Sequence, residues 1–261
     1  MDLGLEGKCA FVTGAGKGIG RAVALALARE GCNLEIAART RDDLERLADE
    51  LRGGYGVAVG IHPMDVGSED DRRGAVSVAA HSDILVNCAG AIPAGGLEDV
   101  SERQWRDGWD LKVFGYVEMT RIFYSAMKTR GSGVIVNLIG DAGEKPSAGY
   151  IAGSSGNAAL MAFTQALGAE APDHGIRVVG VNPGLTESDR AISRFRRESQ
   201  SRFGTPDRWH ELVPALNLPF ARMARVEEVA DVVAFLASSR ASYLSGTIVT
   251  VDGGRRFRAT A

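Results

Sequence analysis

The chain has 261 residues, 45% of them hydrophobic and 24% charged, the balance of a globular protein rather than a disordered or membrane-spanning one. Thirty Lys and Arg against 33 Asp and Glu leave a formal charge of −3, so no global field draws the protein to nucleic acid or an anionic membrane, and a small-molecule partner is expected. Cys9, Cys32 and Cys88 form neither a disulfide framework nor a C-x-x-C pair, and no signal-like apolar stretch opens the chain, which together point to a reducing, cytoplasmic setting.

The first expected strand is Cys9-Ala10-Phe11-Val12, followed after a glycine-rich turn by a helix over 21–30 in strong helix formers. A second strand runs from Leu34 to Ala38, and its helix aligns Leu44, Leu47 and Leu51 on one face with charged residues opposite. Further strands are expected at Val57–Ile61, Ile84–Val86, Val134–Leu138, Val178–Val181 and Thr247–Val251, each spaced for a crossover helix. Near-continuous apolar strands belong to a sheet covered on both faces, so the pattern predicts a Rossmann-type, doubly wound α/β fold of about seven parallel strands. A (β/α)₈ barrel has the same alternation, and the first turn separates the two. No repeat or linker divides the chain, which reads as one domain over 1–261.

That first turn is Thr13-Gly14-Ala15-Gly16-Lys17-Gly18-Ile19-Gly20, whose glycines let backbone approach a pyrophosphate at a helix N-terminus. It fails G-x-G-x-x-G, since Ile19 stands where the last glycine belongs, but fits T-G-x-x-x-G-x-G. Asp65-Val66, Asn87-Cys88-Ala89-Gly90, Tyr150 opening a helix, Asn182-Pro183-Gly184 and Val251-Asp252-Gly253-Gly254 follow in order. With these motifs, almost the whole chain resembles the short-chain dehydrogenase/reductase family. The resemblance implies a nicotinamide dinucleotide held by Gly14, Gly18, Ile19 and Gly20 at the pyrophosphate and Asp65 and Val66 at the adenine. It also implies Asn87, Ala89 and Gly90 along the cofactor, with Tyr150, Pro183 and Gly184 completing the site. Asp65 has a second reading as a turn cap.

Cofactor choice falls at the end of the second strand, where a carboxylate would repel a 2′-phosphate. The chain has Ala38-Arg39 there, and Glu35, 21 residues after Gly14, falls mid-strand. Arg39 and Lys17 are suited to pair with a 2′-phosphate, which predicts NADP(H) in preference to NAD(H).

Family members combine a Tyr acid/base, a Lys four residues later, an upstream Ser and a helix Asn. Here Tyr150 is present, but counting from it puts Ser154 at the lysine position, while the serine falls on Gly140 and the asparagine on Lys112. A phenol titrates near 10 unless a cation favours its phenolate. The expectation is therefore a relocated cation, with Lys112 tuning Tyr150; the alternative is an ordinary solvated helix lysine. Gly140 carries no donor, and Ser147 or Ser154 are candidates to replace one. Ser125-Ala126-Met127-Lys128 spells S-x-x-K without its companion motifs, so a serine hydrolase is not expected. His62, His81, His174 and His210 stand singly, and no metal site is expected.

The segment 185–225 intersperses Phe195, Phe203, Trp209, Leu212 and Phe220 among charges, and by the resemblance it covers the substrate. Its apolar residues suit a hydrophobic or aromatic carbonyl or alcohol, or simply pack as a lid. Arg190, Arg194, Arg196, Arg197, Arg202 and Arg208 suit a carboxylate or phosphate, or a solvated helix face. The expected activity is NADP(H)-dependent carbonyl reduction or alcohol oxidation. The alternatives are a cofactor-binding partner subunit and a non-redox lyase, isomerase or hydrolase. The resemblance also implies a homodimer or homotetramer through Trp105–Lys128 and Ser154–Ala171; burial of the second helix within one subunit is the competing expectation.

Overall fold

In the computed structural model, which describes residues 1–258, seven strands form one parallel sheet in the order β3-β2-β1-β4-β5-β6-β7. In chain order the elements are β1 (Cys9–Thr13), α1 (Gly18–Arg29), β2 (Asn33–Ala38), α2 (Arg41–Tyr55), β3 (Val59–Pro63), α3 (Glu69–Arg73), α4 (Ala75–Ala79) and β4 (Ile84–Asn87). There follow α5 (Glu102–Trp109), a π-turn over Asp110–Phe114, α6 (Gly115–Arg130), β5 (Gly133–Leu138), α7 (Ile151–Glu170), β6 (Ile176–Pro183), α8 (Asp189–Phe203), α9 (Val226–Ala237) and β7 (Ile248–Val251). The expected doubly wound sheet is therefore present, and the barrel is not. Helix α1 begins at Gly18, earlier than its apolar pattern, because the last residues of the glycine turn form its first helical turn.

Alternation along β1 explains the two cores. Ala10 and Val12 point to the face covered by α1, α2 and α9, whereas Phe11 points to the face covered by α4 and α6. On that second face Phe11 packs on Phe123, ring centroids 5.0 Å apart, with Leu85, Met119, Met127 and Ile135 around them. Burying a side chain such as Phe123 contributes about 1.5–3 kcal/mol relative to leaving it exposed. The strand order reverses direction between β1 and β4, so their carboxyl ends open a crevice at the topological switch point.

His62 and His81, solitary in the sequence, both reach the carboxylate of Glu35. The apolar residues of 185–225 divide: Phe195, Leu212, Leu218 and Met223 bury one another in a small core with Phe203 and Trp209 against it, while Leu185, Leu218 and the exposed Phe220 line a pocket closed by Val251 and Asp252. On α7, Leu160 is buried, but Ala158, Ala159, Ala162 and Ala166 remain on the surface, so the helix does not spend its whole apolar face within one subunit. Among the described residues no helix is long and apolar enough to cross a membrane.

Candidate active site

At the switch point, Thr13 ends β1 and its hydroxyl accepts the backbone N–H groups of Cys88 (2.9 Å) and Ala89 (3.1 Å), clamping the β1 turn to the β4 turn. The clamp explains the glycines. Gly14 has φ +69°, and a Cβ on it would lie 2.8 Å from the Ala89 Cα; one on Gly20 would overlap the Gly14 carbonyl oxygen. Gly18 opens α1 after Lys17, whose side chain makes no capping hydrogen bond, so the helix N–H groups there are uncapped by any side chain and suited to an anion. Ser188, the N-cap of α8, stands over Gly18 and closes that side of the turn.

Lys17 and Arg39 are both exposed at this end, and among the described residues neither forms an ion pair. Glu35 lies within β2, paired in register with Phe11 and Gly60, and its carboxylate is engaged by His62 from the neighbouring strand β3 on the same sheet face. Asp65 accepts the Gly67 N–H at 2.9 Å, which realises its turn-capping role beside the β3 end. Val66 is buried. Asn87 donates to Thr120 (3.1 Å) and Asn137 (2.9 Å), leaving its own Oδ1 buried and unpartnered; Asn157 Oδ1 is in the same state. Two such orphan acceptors along a glycine-lined cleft match a ligand rich in hydroxyl and amide donors, as a nicotinamide nucleotide is. Pro183 ends β6, and a Cβ on Gly184 would press on Asp252 at 2.9 Å, so the far wall is also close-packed backbone.

The catalytic register differs from simple counting along the chain. Tyr150 is not inside α7 but caps it, held by the Gly95 N–H to Gly149 carbonyl bond (2.9 Å) and the Ile151 N–H to Gly95 carbonyl bond (3.4 Å). Ser154, four residues on, turns its hydroxyl to the loop, where it accepts the Ser147 N–H at 3.1 Å. The α7 side chain that faces the end of β5 is Asn157: its amide donates to the Gly140 carbonyl (3.4 Å), and a Cβ on Gly140 would lie 2.8 Å from its Nδ2. Four residues before Asn157 is Gly153, and a Cβ there would fall within the Tyr150 ring. The pair of positions spaced by one helical turn and directed at the strand end is thus 153 and 157, and the ring of Tyr150 fills the space beside Gly153. This corrects the placement of the missing lysine at Ser154: the vacated position holds Asn157. Counting from the tyrosine errs by three residues because that tyrosine precedes the helix.

Lys112 lies in the π-turn, where the widened turn lets its side chain run along Gly90. Its ammonium donates to the carbonyl of Ile139, next to Gly140, while the Tyr116 hydroxyl holds the Leu138 carbonyl at 2.8 Å. Burial, and then the nearby Arg190, bring the Lys112 pKa down to about 8. Burial likewise pushes the Cys88 thiol up to about 12, leaving it an inert wall of the site. Gly140 has φ +132°, a backbone conformation open to glycine, and its N–H is held by Asn182 at 3.2 Å. Asn182 also donates to Glu144 (2.7 Å), which Thr250 and Arg256 engage from β7 and beyond.

Of the arginines in 185–225, Arg190 alone reaches this cleft, donating to the carbonyls of Gly90 (3.3 Å) and Ile92 (2.5 Å). Arg194 stacks on Phe195 and Arg208 on Phe203, the latter also bonded to Glu211, while Arg196 and Arg197 are exposed. Asn157 and Gly153 escaped sequence reasoning; their spacing of four in a run of small residues was the available signal.

Residues 8–199 match the family model described as short chain dehydrogenase. The chain is 31% identical to the L-xylulose reductase of Mesocricetus auratus, over 97% of this chain and 98% of that one. Among solved structures, it resembles the L-sorbose reductase of Gluconobacter frateurii in complex with NADPH and L-sorbose, with a TM-score of 0.93, 30% identity and coverage of 99% and 100%. It also resembles an NAD⁺-bound xylitol dehydrogenase, with a TM-score of 0.86, 26% identity and coverage of 96% and 99%.

Proposed function

The chain belongs to the short-chain dehydrogenase/reductase family, and from that premise we propose that it is an NADP(H)-dependent carbonyl reductase or alcohol dehydrogenase in which Tyr150 exchanges the substrate proton. When bound, the cofactor supplies or accepts the hydride. Gly14, Gly18, Ile19 and Gly20 hold its pyrophosphate on the start of α1, and Lys17 and Arg39 pair with the 2′-phosphate. Asp65 and Val66 border the adenine, and Asn87, Ala89, Gly90, Pro183 and Gly184 line the remaining length. Arg39 standing where a carboxylate would select NAD is what favours NADP; of the similar solved structures, one is in complex with NADPH and one with NAD⁺.

The observation that carries the reading is the Tyr150 ring beside Gly153, which supplies from the helix cap a phenol at a helix position that has no side chain of its own. Tyr150 donates its proton to the carbonyl oxygen in reduction and takes it back in oxidation. Lys112 places a positive charge at the same strand end, its ammonium on the Ile139 carbonyl. Gly140 gives no hydroxyl, so donation to the substrate oxygen falls to Tyr150.

The substrate class we favour is a small polar ketone or secondary alcohol of the ketose and polyol kind, on the similarity to reductases of L-xylulose and L-sorbose. Deuterium transfer from stereospecifically labelled NADPH to a panel of ketoses and hydrophobic ketones, read by mass spectrometry, tests the proposal. Incorporation into ketoses, lowered on the order of 10²- to 10⁴-fold in Tyr150→Phe with NADPH affinity unchanged, is expected. NADPH binding with no label in any product would reject it and leave a dinucleotide-binding subunit or a non-redox enzyme.

A further inference from the structure

At the opposite, amino-terminal end of the strands lies a second cluster of chemistry-bearing side chains. Cys9 and Glu35 point to the same sheet face, because Phe11 is in register with Glu35 and Cys9 precedes Phe11 by two. His81 arrives on the turn between α4 and β4, and that turn is fixed to β1 by reciprocal bonds, Asp83 N–H to the Cys9 carbonyl (2.8 Å) and Cys9 N–H to Asp83 Oδ2 (2.9 Å). As a result Cys9 Sγ, a Glu35 carboxylate oxygen and a His81 ring nitrogen all lie within 4.8 Å of one another. We propose that Cys9, Glu35 and His81 form a binding site for a divalent cation of the zinc class, with water in the fourth position.

The geometry distinguishes ligands from support. Tetrahedral zinc with bonds of about 2.0–2.3 Å sets its ligand atoms roughly 3.3–3.8 Å apart. The His81 Nε2 to Glu35 Oε1 separation of 3.4 Å is such an edge, long for a strong charge-assisted hydrogen bond. His62 is different: its Nε2 lies 2.6 Å from Glu35 Oε2, a direct hydrogen bond to the other carboxylate oxygen. That is the relation of an outer residue that orients a metal-binding carboxylate, and the His62 ring is itself held against Phe11, centroids 5.4 Å apart. A thiolate, an imidazole and a carboxylate favour zinc over calcium or magnesium, which take all-oxygen shells. Access is open on the His81 side, whose side chain is 59% exposed, while Glu35 is 19% exposed. Binding removes the Cys9 S–H proton to solvent and forms the metal–sulfur bond, with no change of oxidation state. The site would tie β1 and β2 to the turn before β4, at the end of the sheet away from the dinucleotide cleft.

Cobalt(II) titration of the chelator-treated full-length protein tests this, read by the thiolate-to-cobalt charge-transfer absorption, with zinc competition giving the affinity. The expected result is one equivalent of cobalt with that absorption, displaced by one equivalent of zinc, and a zinc-dependent rise in thermal midpoint. Cys9→Ser should abolish the absorption, and Cys88→Ser should retain it. His81→Ala, a replacement at an exposed turn that leaves the core intact, should lose high-affinity binding, and His62→Ala should weaken it roughly 10- to 100-fold. No charge-transfer absorption in the native protein, or equal zinc affinity in the native and His81→Ala proteins, would overturn the assignment. Because the readouts are spectroscopic and thermal, they are independent of whether the enzyme reduces ketoses.

Discussion

Replacing Lys112 with methionine separates the charge of this residue from its bulk. In the folded protein burial and Arg190 bring Lys112 from an ordinary 10.5 to about 8, which corresponds to about 3 kcal/mol. The sign follows from proton binding. Below pH 8 both folded and unfolded chains hold the proton, and the folded state bears the full cost of the buried charge. Between pH 8 and about 10.4 the unfolded chain still holds a proton that the folded chain has released, so this residue makes stability rise with pH by about 3 kcal/mol across that window. Lys112→Met removes this slope. It also leaves the Ile139 carbonyl without its donor, an offset of about 1–3 kcal/mol that does not depend on pH. Equilibrium urea unfolding of both proteins from pH 7 to pH 10.5 should therefore show the variant losing about 3 kcal/mol relative to the native chain as pH rises, whatever the offset at pH 7. In parallel, turnover should fall below about pH 8, where the native residue carries its charge, while NADPH affinity is kept. Stability curves that stay parallel across the range would refute the claim that Lys112 is a buried cation, and with it the electrostatic role assigned to it.

Three other outcomes are expected. Gly153→Ala places a methyl within the Tyr150 ring, so the ring must leave its seat; turnover should fall at least tenfold with NADPH affinity unchanged, and native turnover would show that the ring is not used where it lies. In Lys17→Ala/Arg39→Ala the preference for NADPH over NADH, measured as the ratio of kcat/KM values, should drop on the order of 10- to 100-fold through loss of NADPH affinity; an unchanged ratio would remove these residues from 2′-phosphate recognition. Glu144 is held below the ordinary carboxylate range, burial opposing but hydrogen bonds from Thr250, Asn182 and Arg256 prevailing. Its contribution is present above about pH 4.5 and lost as pH falls below it, so the stability gap between native protein and Glu144→Gln should be widest near neutrality and close in acid; a gap independent of pH would contradict the assignment.

The fold was legible in sequence because its signals are local. Apolar runs such as Val134–Leu138, separated by crossover lengths, specify parallel strands, and the glycines from Gly14 to Gly20 specify a turn that admits no side chain between β1 and the Ala89 backbone. Lys17, Arg39 and Lys112 were also identifiable one by one, each as a cation at an informative position. The active-site register was not. That Asn157 rather than Ser154 faces Gly140, and that the Tyr150 ring lies beside Gly153, depend on where α7 starts, and that start is set by the Gly95 loop bonding to residues 149 and 151. Nor could periodicity bring Cys9, Glu35, His62 and His81 to one point, since it describes neighbours within an element. Their meeting is decided by the pairing register of β1, β2 and β3 and by the docking of the turn before β4, contacts between residues far apart in the chain that exist only once the sheet has formed.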